Sequence, residues 1–140
     1  MIVKSVVSSR APEAVGPFPH AKQVGHLLFV SGIGPRMRGS NIIPGVTLDE
    51  AGTILSYDFE TQCRAVFENI RMVVEDAGSH WGNIVDVTSF LTDMKADFLL
   101  YNRLFGEYFK DNQPARTTIE VSRLPTPIAI ELKVIAVMPA

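Results

Sequence analysis

Ile128-Ala129-Ile130-Glu131-Leu132-Lys133-Val134-Ile135-Ala136-Val137 is the stretch on which the fold of this 140-residue chain turns. Its β-branched residues suit a pleated surface, and the reading is a final strand over 128–138. Apolar side chains fall on both of its faces, so both must be hidden from water. Immediately upstream, Leu124-Pro125-Thr126-Pro127 forces a turn. Before it stands Gln113-Pro114-Ala115-Arg116-Thr117-Thr118-Ile119-Glu120-Val121, in which Pro114 closes a loop and Thr117 to Val121 reads as a strand. Arg116 therefore marks the hand-over from loop to strand, where a guanidinium offers a planar fork of donors to a carboxylate. Two successive strands joined so tightly place Arg116 and Glu131 to face one cavity. The alternative is an ordinary surface or interface salt bridge at Arg116 and a solvated Glu131.

Outward from this pair, two helical patterns alternate with strands. Over 56–77 the apolar residues Phe59, Cys63, Val66, Phe67, Ile70, Val73, Val74 and Ala77 recur in steps of three and four, the mark of one buried helical face. Ser56 or Asp58 can cap its start, and Gly78 stops it. Ile84 to Leu91 reads as a strand. Thr92-Asp93-Met94-Lys95 reads as a turn, with Asp97 capping a second helix over 98–109 that carries Asn102. Near the N-terminus a short strand over 2–7 precedes the loop Ser8 to His20, whose three prolines stiffen it. Such a loop holds Phe18 and His20 as fixed pieces of a pocket wall, or else it is a plain connector with Phe18 plugging the core. A second strand over 23–32, with Gly25-His26 as the turn before its apolar run Leu27 to Val30, ends at Ser31-Gly32-Ile33-Gly34-Pro35, where freed backbone N–H groups can meet a carboxylate. Arg36 and Arg38 follow on a polar loop, and Ile42 to Leu48 offers another short strand.

The order gives an α+β domain over residues 1–140, a mixed sheet with two helices on one face. No helix remains for the other face, so self-association is expected. With 46% hydrophobic and 20% charged residues the chain has material for a compact core. A net charge of −2 provides no global basic field for nucleic acid. No apolar run reaches the roughly 20 residues of a membrane span, and the first residues lack the order of a signal peptide, so a cytoplasmic protein is expected. The single cysteine, Cys63, sits on the apolar helix face and reads as core; no thiolate metal site is expected.

Gly16-Pro17-Phe18, Val30-Ser31-Gly32, Asn69, Ala77-Gly78, Asn102, Tyr108-Phe109, Pro114-Ala115-Arg116-Thr117, Leu124-Pro125 and Glu131 through Ala136 fall in the order seen in the RidA (YjgF) family, which the chain resembles along nearly its whole length. The resemblance implies a chorismate-mutase-like subunit whose sheets close into a homotrimeric barrel, with sites between subunits. It also implies cofactor-free hydrolysis of small carboxylate-bearing enamines and imines. The residues matching the family's site are Arg116 for the substrate carboxylate, Glu131 for water, and Phe18, Ser31, Asn102 and Thr117 along the walls. Phe18 replaces the usual tyrosine, Ile33 the usual glutamine and Thr118 a frequent cysteine. Together with Gly-Pro-Phe-Pro-His and Ser-Gly-Ile-Gly-Pro-Arg, these departures resemble the 2-aminomuconate deaminase branch, which acts in bacterial breakdown of aromatic compounds. A diacid of that kind needs a second cation, for which Arg36, Arg38 and His20 are the candidates, while the N–H groups of Ser31, Gly32, Ile33 and Gly34 would steady one end. The rivals are a general 2-iminoacid deaminase and a non-catalytic module binding small acids or partner proteins.

Overall fold

A computed structural model describes residues 1–140 as a six-stranded mixed sheet with two helices against one face and a separate two-stranded ribbon. The strands are β1 (Val3–Val6), β2 (Ala21–Val24), β3 (Leu27–Val30), β4 (Val46–Leu48), β5 (Ile54–Tyr57), β6 (Ile84–Leu91), β7 (Ala115–Glu120) and β8 (Ile130–Val137). The helices are α1 (Phe59–Asp76) and α2 (Met94–Tyr108), and a 3-10 turn spans Trp81–Asn83. The sheet runs β1-β2-β3-β8-β6-β7, while β4 and β5 form the ribbon. Only the β6–β7 pair is parallel, with α2 as its crossover, as the chain's geometry demands of parallel neighbours.

β8 sits near the middle of the sheet. Ile130, Leu132, Val134 and Ala136 are buried, while Glu131, Lys133, Ile135 and Val137 turn the other way. Val66, Phe67, Ile70, Val73 and Val74 of α1 are fully buried on the helix side, each worth roughly 1.5–3 kcal/mol of apolar burial. Asp58 caps α1 by accepting from the Thr61 N–H at 3.0 Å, and Gly78 at φ +94° ends it. Trp81 stacks on Phe109 at 4.5 Å and closes the core beside the end of α1. Cys63 is buried, and desolvation drives its thiol pKa up, consistent with a packing role.

Four local readings need correction. The stretch 23–32 is not one strand. Gly25, at φ +60°, starts a two-residue turn that folds Ala21–Val24 back onto Leu27–Val30. Ser56 and Tyr57, read as the first residues of the first helix, belong instead to β5, zipped to β4. α2 begins four residues earlier than the Asp97 cap implies. Asp93 is the cap, accepting from the Ala96 N–H at 3.0 Å, and Glu120 accepts the neighbouring Met94 N–H at 2.9 Å. Asp97 is buried and accepts a 2.6 Å bond from the Tyr57 hydroxyl, which fastens the ribbon to α2. Finally, β7 starts at Ala115, two residues before the Thr117 start read from sequence, so Arg116 is its second residue.

Asn69 of α1 is buried, and its amide donates to the carbonyls of Gly34 (2.9 Å) and Arg36 (2.8 Å). It thereby fixes the segment after β3 against the helix. Asn69→Ala strips both carbonyls of their partner and should lower the unfolding free energy by about 1–3 kcal/mol, read from the urea midpoint. A midpoint shift too small to measure would show that the segment is held by something else.

Candidate active site

A cavity opens where the β3 exit, the β8 entrance and the proline-rich loop meet. Phe18, His20, Ser31, Gly32, Ile33, Gly34, Arg36 and Glu131 line it, together with Pro12 and Thr126. The alternation of β8 aims Glu131 away from the core and into this space. Gly32 makes room for it: a Cβ at that position would lie 2.6 Å from the Glu131 Oε2. No side chain donates a hydrogen bond to the carboxylate, and burial pushes its pKa above the ordinary value, while the charge of Arg36 pulls it partly back. The solvated Glu131 weighed from sequence is therefore replaced by a half-buried one.

The wall behind the carboxylate is internally bonded. Ser31 donates its hydroxyl to the Pro19 carbonyl at 2.7 Å and its N–H to the His20 carbonyl at 2.9 Å. The Ile33 N–H is taken by Leu132. Of the four backbone donors expected from the sequence, the N–H groups of Gly32 and Gly34 are the two that donate to nothing within the chain. His20 is buried. Its Nδ1 accepts from the Ser8 N–H at 2.9 Å, which leaves Nε2 to donate to the Pro12 carbonyl at 2.7 Å. Both ring nitrogens are thus committed to the loop. Arg38 donates to the Ala11 carbonyl at 2.8 Å and pairs with Glu13. Arg36 bonds only the Glu13 carbonyl through its guanidinium, at 2.5 Å, and so keeps its charge beside Glu131. Of the three cations considered for a second acid group, only Arg36 faces the cavity with a free charge.

Arg116 stands elsewhere. It is aligned with Val87 of β6, which is aligned in turn with Val134 of β8, so it points to the helix side of the sheet. Glu131 is aligned with Phe90, and Phe90 with Ile119, on the opposite side. The expectation that the pair faces one cavity fails within a single chain, because β7 and β8 pair with β6 in registers that set Arg116 beside Val87 and Glu131 beside Phe90, an odd number of residues apart. Arg116 forms no ion pair. It donates to the Asn102 Oδ1 at 2.7 Å and lies over the rings of Phe98, Tyr101 and Phe105. Thr117 is exposed on the open side of β7, aligned with Thr88. The sequence offered no sign of the π contacts to Arg116, although the spacing 98, 101, 102, 105 is one helical stripe. No three His, Cys, Asp or Glu side chains come together.

The carboxyl of Glu131 holds its proton more tightly in the folded chain than in the unfolded one. Above the ordinary value of 4.5 the native state therefore binds more protons, and stability falls as pH rises through that window. Glu131→Gln should remove this loss, raising Tm near neutral pH by a few degrees while leaving it unchanged in acid. An equal shift at both pH values would assign the effect to packing.

The model described as endoribonuclease L-PSP matches residues 8–138. A RutC family protein of Pyrococcus abyssi is 37% identical over 97% of this chain and 98% of its own length. TdcF of Escherichia coli K12, provisionally named a reactive intermediate deaminase, is 31% identical over 98% of both chains. The crystal structure of E. coli TdcF with bound serine superposes with a TM-score of 0.81 at 31% identity, covering 97% of this chain and 99% of that one. The E. coli YjgF gene product gives 0.81 at 30% identity, over 97% and 99%. No helix of the chain is long and apolar enough to cross a membrane. With the family model and these relatives covering nearly its full length, the chain belongs to the RidA (YjgF, RutC) family, whose sequence model carries the endoribonuclease L-PSP description.

Proposed function

We propose that the chain is a hydrolytic deaminase of small carboxylate-bearing imines and enamines, with its site completed between copies of the chain. The observation that carries this reading is a half-buried carboxylate, Glu131, aimed into a cavity, with a free guanidinium, Arg116, presented at the sheet edge. Glu131 takes a proton from water as the oxygen bonds to the imine carbon, and its raised basicity suits that step near neutral pH. The same proton passes to nitrogen, giving an amino alcohol; the carboxylate then moves the hydroxyl proton to the amine as the C–N bond breaks, giving a ketone and ammonia. The N–H groups of Gly32 and Gly34 steady the polarised end of the substrate. Arg116 of a neighbouring copy grips the carboxylate next to the reacting carbon. The name and the bound serine of TdcF support a small substrate with an amino-acid skeleton. An apolar patch on the open sheet face, Leu27, Phe29, Phe90, Ile119, Ile135 and Val137, supports the homotrimer, since in water such a patch seeks a partner. A nuclease reading finds little support in a chain of net charge −2.

Arg116→Ala and Glu131→Gln should each lower turnover of a 2-iminoacid by orders of magnitude, followed as ammonia release. Refolded together, the two inactive proteins should recover about a quarter of wild-type turnover, the share of junctions in which both groups are intact under random mixing. No recovery from variants that still assemble would refute the shared site.

Within this class the finer reading is 2-aminomuconate, a dicarboxylic enamine, converted to 2-hydroxymuconate and ammonia. Arg36 supports it, as a cation without a carboxylate partner in the cavity of Glu131. Arg36→Gln should raise KM for 2-aminomuconate about 10–100-fold, the loss of a charged hydrogen bond, and leave KM for 2-iminopropanoate unchanged. Equal changes on both substrates would leave the general 2-iminoacid deaminase as the better description.

A further inference from the structure

The eight arginines of the chain divide sharply. Arg10, Arg38, Arg64, Arg71 and Arg103 each have a carboxylate within salt-bridge distance. Arg36, Arg116 and Arg123 have none, and of these Arg116 alone is held by side chains of a helix. Phe98, Tyr101, Asn102 and Phe105 follow one another along a single stripe of α2, and all four meet its guanidinium. The ring centroids lie 5.7, 5.1 and 4.8 Å from the Arg116 Cζ for Phe98, Tyr101 and Phe105. Tyr101 is itself fixed, because its hydroxyl shares a hydrogen bond with Ser89 of β6. Every one of these contacts is uncharged.

We propose that this stripe of α2 is a neutral seat, which orients the Arg116 guanidinium while leaving its positive charge whole for the carboxylate of a ligand. π faces hold a cation without offering it a counter-ion. A carboxylate in the same place would orient the guanidinium as firmly, through a fork of bonds, and would cancel the charge the ligand needs. One hydrogen bond to Asn102 leaves the remaining donors of Arg116 for a ligand. The four residues are positioning residues, acting through Arg116, and the inference rests on the proposed role of that residue.

The test is titration of the assembled protein with pyruvate, a 2-oxo acid of the product class, together with KM and kcat on 2-iminopropanoate. Asn102 is exposed, so Asn102→Asp should fold normally, yet raise the Kd for pyruvate and KM at least tenfold with kcat little changed. Phe98→Leu and Phe105→Leu keep apolar bulk but remove a ring face; each should raise both constants about two- to fivefold. Phe105→Tyr, which keeps the face, should restore wild-type values. Wild-type affinity in Asn102→Asp, or equal values for the Leu and Tyr variants, overturns the seat. Arg116→Ala separates the two levels. If it binds pyruvate like wild type, or if the wild type takes up none, the functional reading falls and the seat with it; if it loses pyruvate while the α2 variants keep it, only the seat falls.

Discussion

The alternation of side chains along β8 is the constraint from which the rest of the molecule follows. A strand has a period of two, so four core residues directed at α1 oblige Glu131, Lys133, Ile135 and Val137 to face the other way. A slip of one residue would bring Glu131 into the apolar core and expose four side chains that hold it together. The carboxylate is thus placed by the same register that stabilises the fold. Its half-buried position, with no donor to neutralise it, follows from the cavity floor at Gly32 rather than from any contact that favours its charge.

The second constraint is topological. Arg116 and Glu131, fifteen residues apart in the chain, are level with Val87 and Phe90 of β6, whose side chains face opposite ways, so the two end on opposite sides of one sheet. On the function proposed above, a single chain carries two half-sites. One is a cavity with Glu131, two backbone donors and Arg36; the other is a sheet edge with the Arg116 guanidinium. Joining them would need another copy of the chain, and the apolar open face would be where that copy docks.

Much of this was legible in the sequence where periodicity is strong. The strand Ile84–Leu91 and the buried face of α1 follow directly from residue spacing. What was not legible depends on partners distant in the chain. Asp97 is the cap the sequence suggests, but Tyr57 claims its carboxylate and Glu120 supports an earlier start, so Asp93 takes the role. β2 and β5 are only four residues long, so they are defined by the neighbours they pair with rather than by their own composition. At the site, the residue types were readable but their engagements were not. His20 and Ser31 look like ligand groups in sequence, yet tertiary hydrogen bonds commit them to the loop they sit beside. The direction of Arg116 could be known only once its strand partner was known.

The fastening of the proline-rich loop has one more consequence. Ser31, His20, Arg36, Arg38 and Asn69 all spend polar groups on its carbonyls or on the segment it leans against. Rotamers and backbone angles around the cavity are accordingly settled before any molecule enters. A guest would meet a mould already set, so selection among guests would rest on outline and charge rather than on the chain's capacity to rearrange.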